Sequence, residues 1–238
     1  MKTVLITGGS RGIGAACARK FAAEGCRVAV NYHLNKERAE ALAAEISGVA
    51  VRADVSDPGQ VQNMMDTVLE QFGRLDVLVC NAGVSHVGLL TDMTDADWRR
   101  VFAVNVDGVF HCCRAVIPHF VHRKAGSIVT VSSMWGQVGA SCEVAYSASK
   151  GAVIALTKAL SKELGPSGIA VNCVAPGVIG TDMNRNLSAD DLAALTEETP
   201  LGCIGTAEQV AGAVWFLSGG QARFLTGQIL GVNGGLVI

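Results

Sequence analysis

TGGSRGIG, residues 7–14, is the stretch whose reading decides the fold. It follows an apolar run, KTVLIT (2–7), and opens a helical pattern that continues through Glu24. Glycine lets the chain turn sharply between strand and helix, and lets backbone approach a ligand closely. A helix that starts there offers free N–H donors and the positive end of its dipole, which together suit a pyrophosphate. Gly8, Gly12 and Gly14 give the spacing G-x-x-x-G-x-G, not the commoner G-x-G-x-x-G. A lone glycine turn can be merely a tight connection; its place after the first strand is what points to a dinucleotide.

Working outward, the alternation repeats along the chain. Short apolar or β-branched runs occur at 27–32 (RVAVNY), 49–53 (VAVRA), 75–80 (LDVLVC), 127–132 (SIVTVS), 169–175 (IAVNCVA) and 228–232 (QILGV). Helical patterns separate them at 35–46, 58–72, 98–122, around 142–152 and at 207–217. Buried runs spaced by helices predict βαβ units and a parallel sheet, with right-handed crossovers laying helices on both faces. No repeat or linker divides residues 1–238, so one α/β domain is expected. The long irregular stretch 176–206, with a short helix in DDLAALTEE (190–198), is the expected lid over a site.

Composition excludes several classes. Half of the 238 residues are hydrophobic and 17% are charged, which is globular and not disordered. A net charge of −2 gives no basic field for nucleic acid. The apolar run in MKTVLITGG is too short for a secretory signal, and no run is expected to span a membrane, so a cytoplasmic protein is expected. None of the eight cysteines forms a C-x-x-C pair, and buried reduced thiols are expected. His111-Cys112-Cys113 and His119-x-x-His122 lack a third converging group, so no metal is expected.

The second strand ends at Asn31-Tyr32-His33 and carries no carboxylate for a ribose 2′-hydroxyl. Arg11 lies in the glycine turn, where a guanidinium could pair with a 2′-phosphate. Both features favour NADP(H) over NAD(H), and aspartate at position 31 is expected to shift preference toward NADH.

CEVAYSASKGA (142–152) sets Tyr146 and Lys150 one helical turn apart on one face. A cation there is expected to lower the phenol from its ordinary value near 10, toward the range of proton exchange with a carbonyl oxygen. Ala145, Ser147, Ala148, Ser149 and Gly151 are expected to leave room for a flat cofactor. Ser133 ends SIVTVSS and could donate to the same carbonyl oxygen; CNAG (80–83) ends the fourth strand, where α/β sheets bind ligands. Asn105 is a polar residue in an apolar helix, FAVNVDG, and is either a water anchor toward Lys150 or a satisfied core amide.

TGGSRGIG, Asp54-Val55, CNAG, Asn105, VSS, YSASK, NCVAPGVIGTDM and GQILGVNGG occur in the order of one family. Over essentially its whole length the chain resembles a short-chain dehydrogenase/reductase. The resemblance implies a single-domain, Rossmann-type, doubly wound sheet of seven parallel strands. It implies a tetrad in which Tyr146 is acid/base, Ser133 polarises the carbonyl, Lys150 holds the nicotinamide ribose and tunes Tyr146, and Asn105 anchors a relay water. Cofactor contacts would come from Gly8, Ser10, Arg11, Gly12, Ile13 and Gly14 in the turn and from Asn31. Asp54 and Val55 would meet the adenine, and Asn81, Ala82 and Gly83 the ribose. Pro176, Gly177, Ile179 and Thr181 would lie toward the nicotinamide. Cys80 departs from the usual asparagine, with little effect expected.

Within the family the chain resembles reductases of 3-oxoacyl groups on acyl carrier protein, which implies a protein-borne ketone and a homotetramer. Of two basic places expected to flank the cleft for docking, Arg123 and Lys124 fill the first; Ser167 stands at the second. The loop SSMWGQVGASCEVAYS instead resembles reductases of the 5-aminopentanone group on a lysine of elongation factor P. There Glu143 would meet a free amine beside Trp135; otherwise it is a surface glutamate favoured by a helix dipole. A cofactor-binding regulator without turnover is the remote alternative, and such proteins usually lose the tyrosine or lysine retained here.

Overall fold

Thr3–Ile6 is at most 2% exposed, so β1 is covered on both faces and lies centrally in its sheet. The structure, a computed structural model, describes residues 1–182 and 188–238. Around β1 stand β2 (Arg27–Tyr32), β3 (Val49–Arg52), β4 (Val77–Cys80), β5 (Gly126–Val131), β6 (Ile169–Pro176) and β7 (Ile229–Val232). All pair in parallel in the order β3-β2-β1-β4-β5-β6-β7. The seven-stranded, doubly wound sheet expected from the sequence is therefore what forms. The order reverses between β1 and β4, and ligands of such sheets bind beyond the strands' carboxyl ends at that point.

Side chains alternate across the sheet with the strand period of two. Leu5, Leu78 and Ile128 enter one core, with Met64, Met65 and Val68 from α3 (Pro58–Phe72) and with Phe120. Val4, Ile6, Val77, Val79 and Val129 enter the other, with Phe21 of α1 (Gly12–Ala23), Leu42 of α2 (Lys36–Glu45) and Val214. The ends of α3 follow from sequence. The Asp57 carboxylate accepts from the N–H groups of Gly59 and Gln60 at 2.8 and 3.1 Å, Pro58 takes the first helical position, and Gly73 closes the helix at φ 74°.

The long helix expected across 98–122 is interrupted. It runs as α4 (Asp95–Phe102), a π-helical segment Ala103–Asp107, and α5 (Gly108–Arg123). The wide turn carries Asn105, and π-bulges are common at functional sites. The continuous stretch Asp95–Arg123 is long and apolar enough to cross a membrane, contrary to the sequence expectation. Here its buried stripe, Val101, Val109, Cys112, Val116 and Phe120, packs into the protein's own core. A single turn, α6 (Trp135–Val138), precedes α7 (Val144–Leu164), and α9 (Ala207–Ser218) covers the other face. The expected lid, 176–206, contains α8 (Ala189–Glu198), close to the predicted 190–198; residues 183–187 of that lid lie outside the described residues.

Candidate active site

The glycine turn is held from three sides. Asn31, 2% exposed, accepts from the Gly8 N–H at 3.1 Å and donates to the Ala53 carbonyl at 3.0 Å. The Asn81 amide donates to the carbonyls of Thr7 and Gly8 at 2.9 and 3.1 Å. Thr7 Oγ1 accepts from the N–H groups of Asn81 and Ala82 at 3.0 and 3.1 Å. Gly8 and Gly12 adopt φ +61° and +53°. A Cβ on Gly8 would meet Ala82 Cα at 2.8 Å, and one on Gly14 would meet the Gly8 carbonyl at 2.4 Å. The backbone therefore forms a cradle that only glycine permits, opening onto the start of α1, which fits a pyrophosphate.

The cleft over this cradle is lined by Gly8, Ser10, Arg11, Gly12, Ile13, Asn31, Asp54, Val55, Asn81, Ala82, Gly83 and Thr181, all expected from the sequence. His33, Leu34 and Asn35, from the loop after β2, also line it, as does Val104 of the π-helical segment; no motif in the sequence marks them. Asp54 is turned inward in part: it accepts from the Ser56 N–H and hydroxyl at 2.9 and 2.7 Å. Asn31 lines the cleft, but its amide is taken up by backbone, so it braces the turn.

A larger cleft of about 840 Å³ continues from the first through Ile13, Asn81, Gly83 and Thr181. Ser133, Trp135, Glu143, Tyr146, Lys150, Pro176, Gly177 and Ile179 line it, with Ser85, Val87 and Leu195 at its walls. Tyr146 and Lys150 are 8% and 4% exposed. Burial pushes the phenol up to about 12, offset in part by a hydrogen bond with Ser133, while the Glu143 carboxylate raises it further. Burial brings the Lys150 ammonium down to about 8. Its Nζ donates to the Val131 carbonyl at 2.8 Å and lies 5.6 Å from the centre of the Tyr146 ring. The phenol is thus raised in this arrangement and not lowered, with desolvation the largest cause. The Lys150 cation is aimed at a strand carbonyl.

A further expectation is corrected. Ala145, Ser147, Ala148, Ser149 and Gly151 line neither cleft. Ser149 instead accepts from the Asn105 amide at 2.9 Å, and Ser147 Oγ accepts from the Ala140 N–H at 3.1 Å. A Cβ on Gly136 would meet the Lys150 backbone at 2.7 Å, so smallness here serves contact between α6 and α7. The Asn105 side chain is a satisfied core amide: it also donates to the Val84 carbonyl at 2.9 Å and accepts from the Val84 N–H at 2.8 Å.

The basic place at Arg123 does not flank this chain's cleft. Its guanidinium pairs with Asp76 at 2.9 Å, beside the amino end of β4 and so at the end of the strands opposite the cleft. Gly168, next to Ser167, packs against Lys124 at that same end, where an added Cβ would meet the Lys124 carbonyl at 3.0 Å. Glu143 is no surface glutamate. It is partly buried in the cleft, its side chain makes no capping hydrogen bond to α7, and desolvation raises its carboxyl above the usual range.

A nicotinamide-type oxidoreductase acting between an alcohol and a carbonyl is the class that this sheet, cradle and buried tyrosine–lysine pair define. The family described as enoyl-(acyl carrier protein) reductase matches residues 8–237. The chain is 42% identical to the 3-oxoacyl-[acyl-carrier-protein] reductase of Staphylococcus aureus (strain N315), over 99% of this chain and 98% of that protein. It is 41% identical to the enzyme of that name from Synechocystis, over 100% and 97% of the two chains. For the Thermotoga maritima enzyme the identity is 39%, over 100% and 98%. The protein belongs to the short-chain dehydrogenase/reductase family and is an oxidoreductase that reduces ketones.

Proposed function

We propose that the protein is an NADPH-dependent reductase that turns a protein-borne ketone into a secondary alcohol. The observation that carries this reading is the convergence of Ser133, Tyr146 and Lys150 in a cleft continuous with the glycine cradle. The bound nicotinamide supplies the hydride. Tyr146 then gives its proton to the oxygen that gains charge, and Ser133 hydrogen-bonds that oxygen. Lys150 holds the nicotinamide ribose, and Asn105 fixes the β4 loop against α7 beneath them. Arg11 in the cleft and the missing carboxylate at the end of β2 support NADP(H).

The 3-oxoacyl thioester of an acyl carrier protein is the first substrate reading, because the relatives are named for it. Glu143 favours a second: the 5-aminopentanone group on a lysine of elongation factor P. A desolvated carboxylate beside the reacting phenol gains from a cationic substrate and gives a thioester nothing. Residues 176–206 serve as lid, with Leu195 of α8 already on the cleft wall. A homotetramer in the cytoplasm completes the reading; Cys80, Cys112, Cys113 and Cys173 are buried as thiols, which suits a reducing compartment.

The test is NADPH oxidation with a short 3-oxoacyl thioester and, separately, a small amino-ketone, for the native protein and Glu143→Gln. Thioester turnover indifferent to the substitution supports the carrier-protein reading. Amino-ketone turnover that collapses in the variant supports the lysine-modification reading. No turnover of either, with cofactor bound, leaves the regulator.

A further inference from the structure

Asp182 Oδ2 stands between two guanidinium groups, 3.0 Å from Arg38 Nη1 and 3.8 Å from Arg11 Nη1. Arg11 and Asp182 line the cofactor cleft together with His33, Leu34 and Asn35, at the end of β2 and the entry to α2. Arg38 lies one turn further along α2, in a groove that opens off the cleft and shares Arg11, Thr181 and Asp182 with it. Of the α2 carboxylates, Glu45 pairs with Arg19 at 2.7 Å and Glu40 with Lys36 at 3.7 Å. Arg38 reaches across 144 positions of sequence to Asp182.

We infer that Arg38 joins Arg11 in reading the 2′-phosphate of the cofactor, and that Asp182 is the carboxylate the phosphate displaces from the two arginines. The inference rests on the NADP(H) reading above. Two guanidinium forks around one point suit a dianion with three acceptor oxygens better than a single carboxylate. Both arginines are more than half exposed, so their pairs with Asp182 are weak and readily exchanged. A cofactor without the 2′-phosphate leaves the Asp182 pairs intact and gains nothing from Arg38. Arg38 then adds discrimination and Asp182 sets how much of it is realised.

The test is calorimetric titration of the full chain with 2′,5′-ADP and with 5′-ADP, which separates recognition from turnover. The native protein is expected to prefer 2′,5′-ADP. Arg38→Gln should lose about tenfold for 2′,5′-ADP, the scale of one charge-assisted hydrogen bond, with 5′-ADP unchanged. Arg38→Lys should lose less, and Asp182→Asn should gain about two- to fivefold for 2′,5′-ADP alone. Unchanged 5′-ADP affinity shows that the variants are folded. A native preference for 2′,5′-ADP that neither Arg38→Gln nor Asp182→Asn alters overturns the inference and leaves the NADP(H) reading standing. No native preference overturns that reading and the inference with it.

Discussion

Lys150 Nζ lies 5.6 Å from the centre of the Tyr146 ring, and both side chains are buried. Burial favours the neutral form of each, which moves the lysine down to about 8 and the phenol up to about 12. A site built this way keeps the proton on Tyr146 until a substrate oxygen calls for it. Tyr146→Phe should lower the rate of ketone reduction by at least about 10²-fold, the usual scale for a positioned acid. Cofactor affinity, read by protein fluorescence, should change little. Retained turnover would remove the acid role from Tyr146.

The same pair makes a prediction for stability against pH. Lys150 has a folded value near 8, below the 10.5 of the free side chain. Between those values the unfolded chain binds more protons, so this lysine's contribution to stability rises with pH across that window. Below it, the ammonium is charged in both states and its burial costs about 3 kcal/mol. Tyr146 works the other way between about 10 and 12, where the folded state holds the proton. Lys150→Met should therefore be more stable than the native protein at pH 7 by about 1–3 kcal/mol, while losing activity. In urea titrations that advantage should shrink from pH 8 to pH 10. A native protein more stable than the variant at pH 7 would contradict it.

Asn31→Asp looks from sequence like a switch toward NADH. The structure gives a different outcome. The Asn31 Nδ2 donates to the Ala53 carbonyl at 3.0 Å, and a carboxylate there would face that oxygen in a buried site. A lost hydrogen bond and an unpaired acceptor cost about 1–3 kcal/mol, more when charged. The variant should melt earlier and bind NADPH and NADH both more weakly, as the Gly8 turn loosens. A clean exchange of preference with unchanged melting would show that position 31 faces the ribose after all.

How much of this was legible in sequence depended on range. The glycine turn, the seven strands and the tyrosine–lysine spacing are local patterns of period two, 3.6 or four, and each lies where it was read. The relationships that were misread are long-range. Nothing around Ser149 signals that its hydroxyl belongs to Asn105, 44 positions away. Nothing around Arg38 signals Asp182, and nothing in the spacing of Arg123 reveals that α5 finishes at the end of the strands far from the cleft. The π-helical turn was invisible because its residues, AVNVD, have ordinary helical composition. The direction of the Tyr146 shift was not legible because burial, a property of the whole fold, is its largest cause.

Gly83 ties these parts together. A Cβ there would stand 3.3 Å from Lys150 Nζ and 3.4 Å from Asn105 Oδ1, closer than most side-chain carbons come to a neighbour. Its φ requires no glycine, since no left-handed value is recorded for it, so the constraint is space alone. Gly83→Ala must push either the ammonium off the Val131 carbonyl or the amide off Val84. Lys150 is the end of a flexible chain and Asn105 is locked by three hydrogen bonds, so the lysine moves. The expected result is a loss of about tenfold or more in kcat, from a displaced catalytic group. Stability should fall by no more than about 1–2 kcal/mol, the cost of mild overpacking. Asn105→Ala should show the reverse balance, because it leaves the Val84 N–H without its acceptor and costs about 1–3 kcal/mol of stability. Measuring kcat and urea midpoints for both variants separates the roles. Equal losses in both readouts for Gly83→Ala would mean that Asn105, not Lys150, gives way.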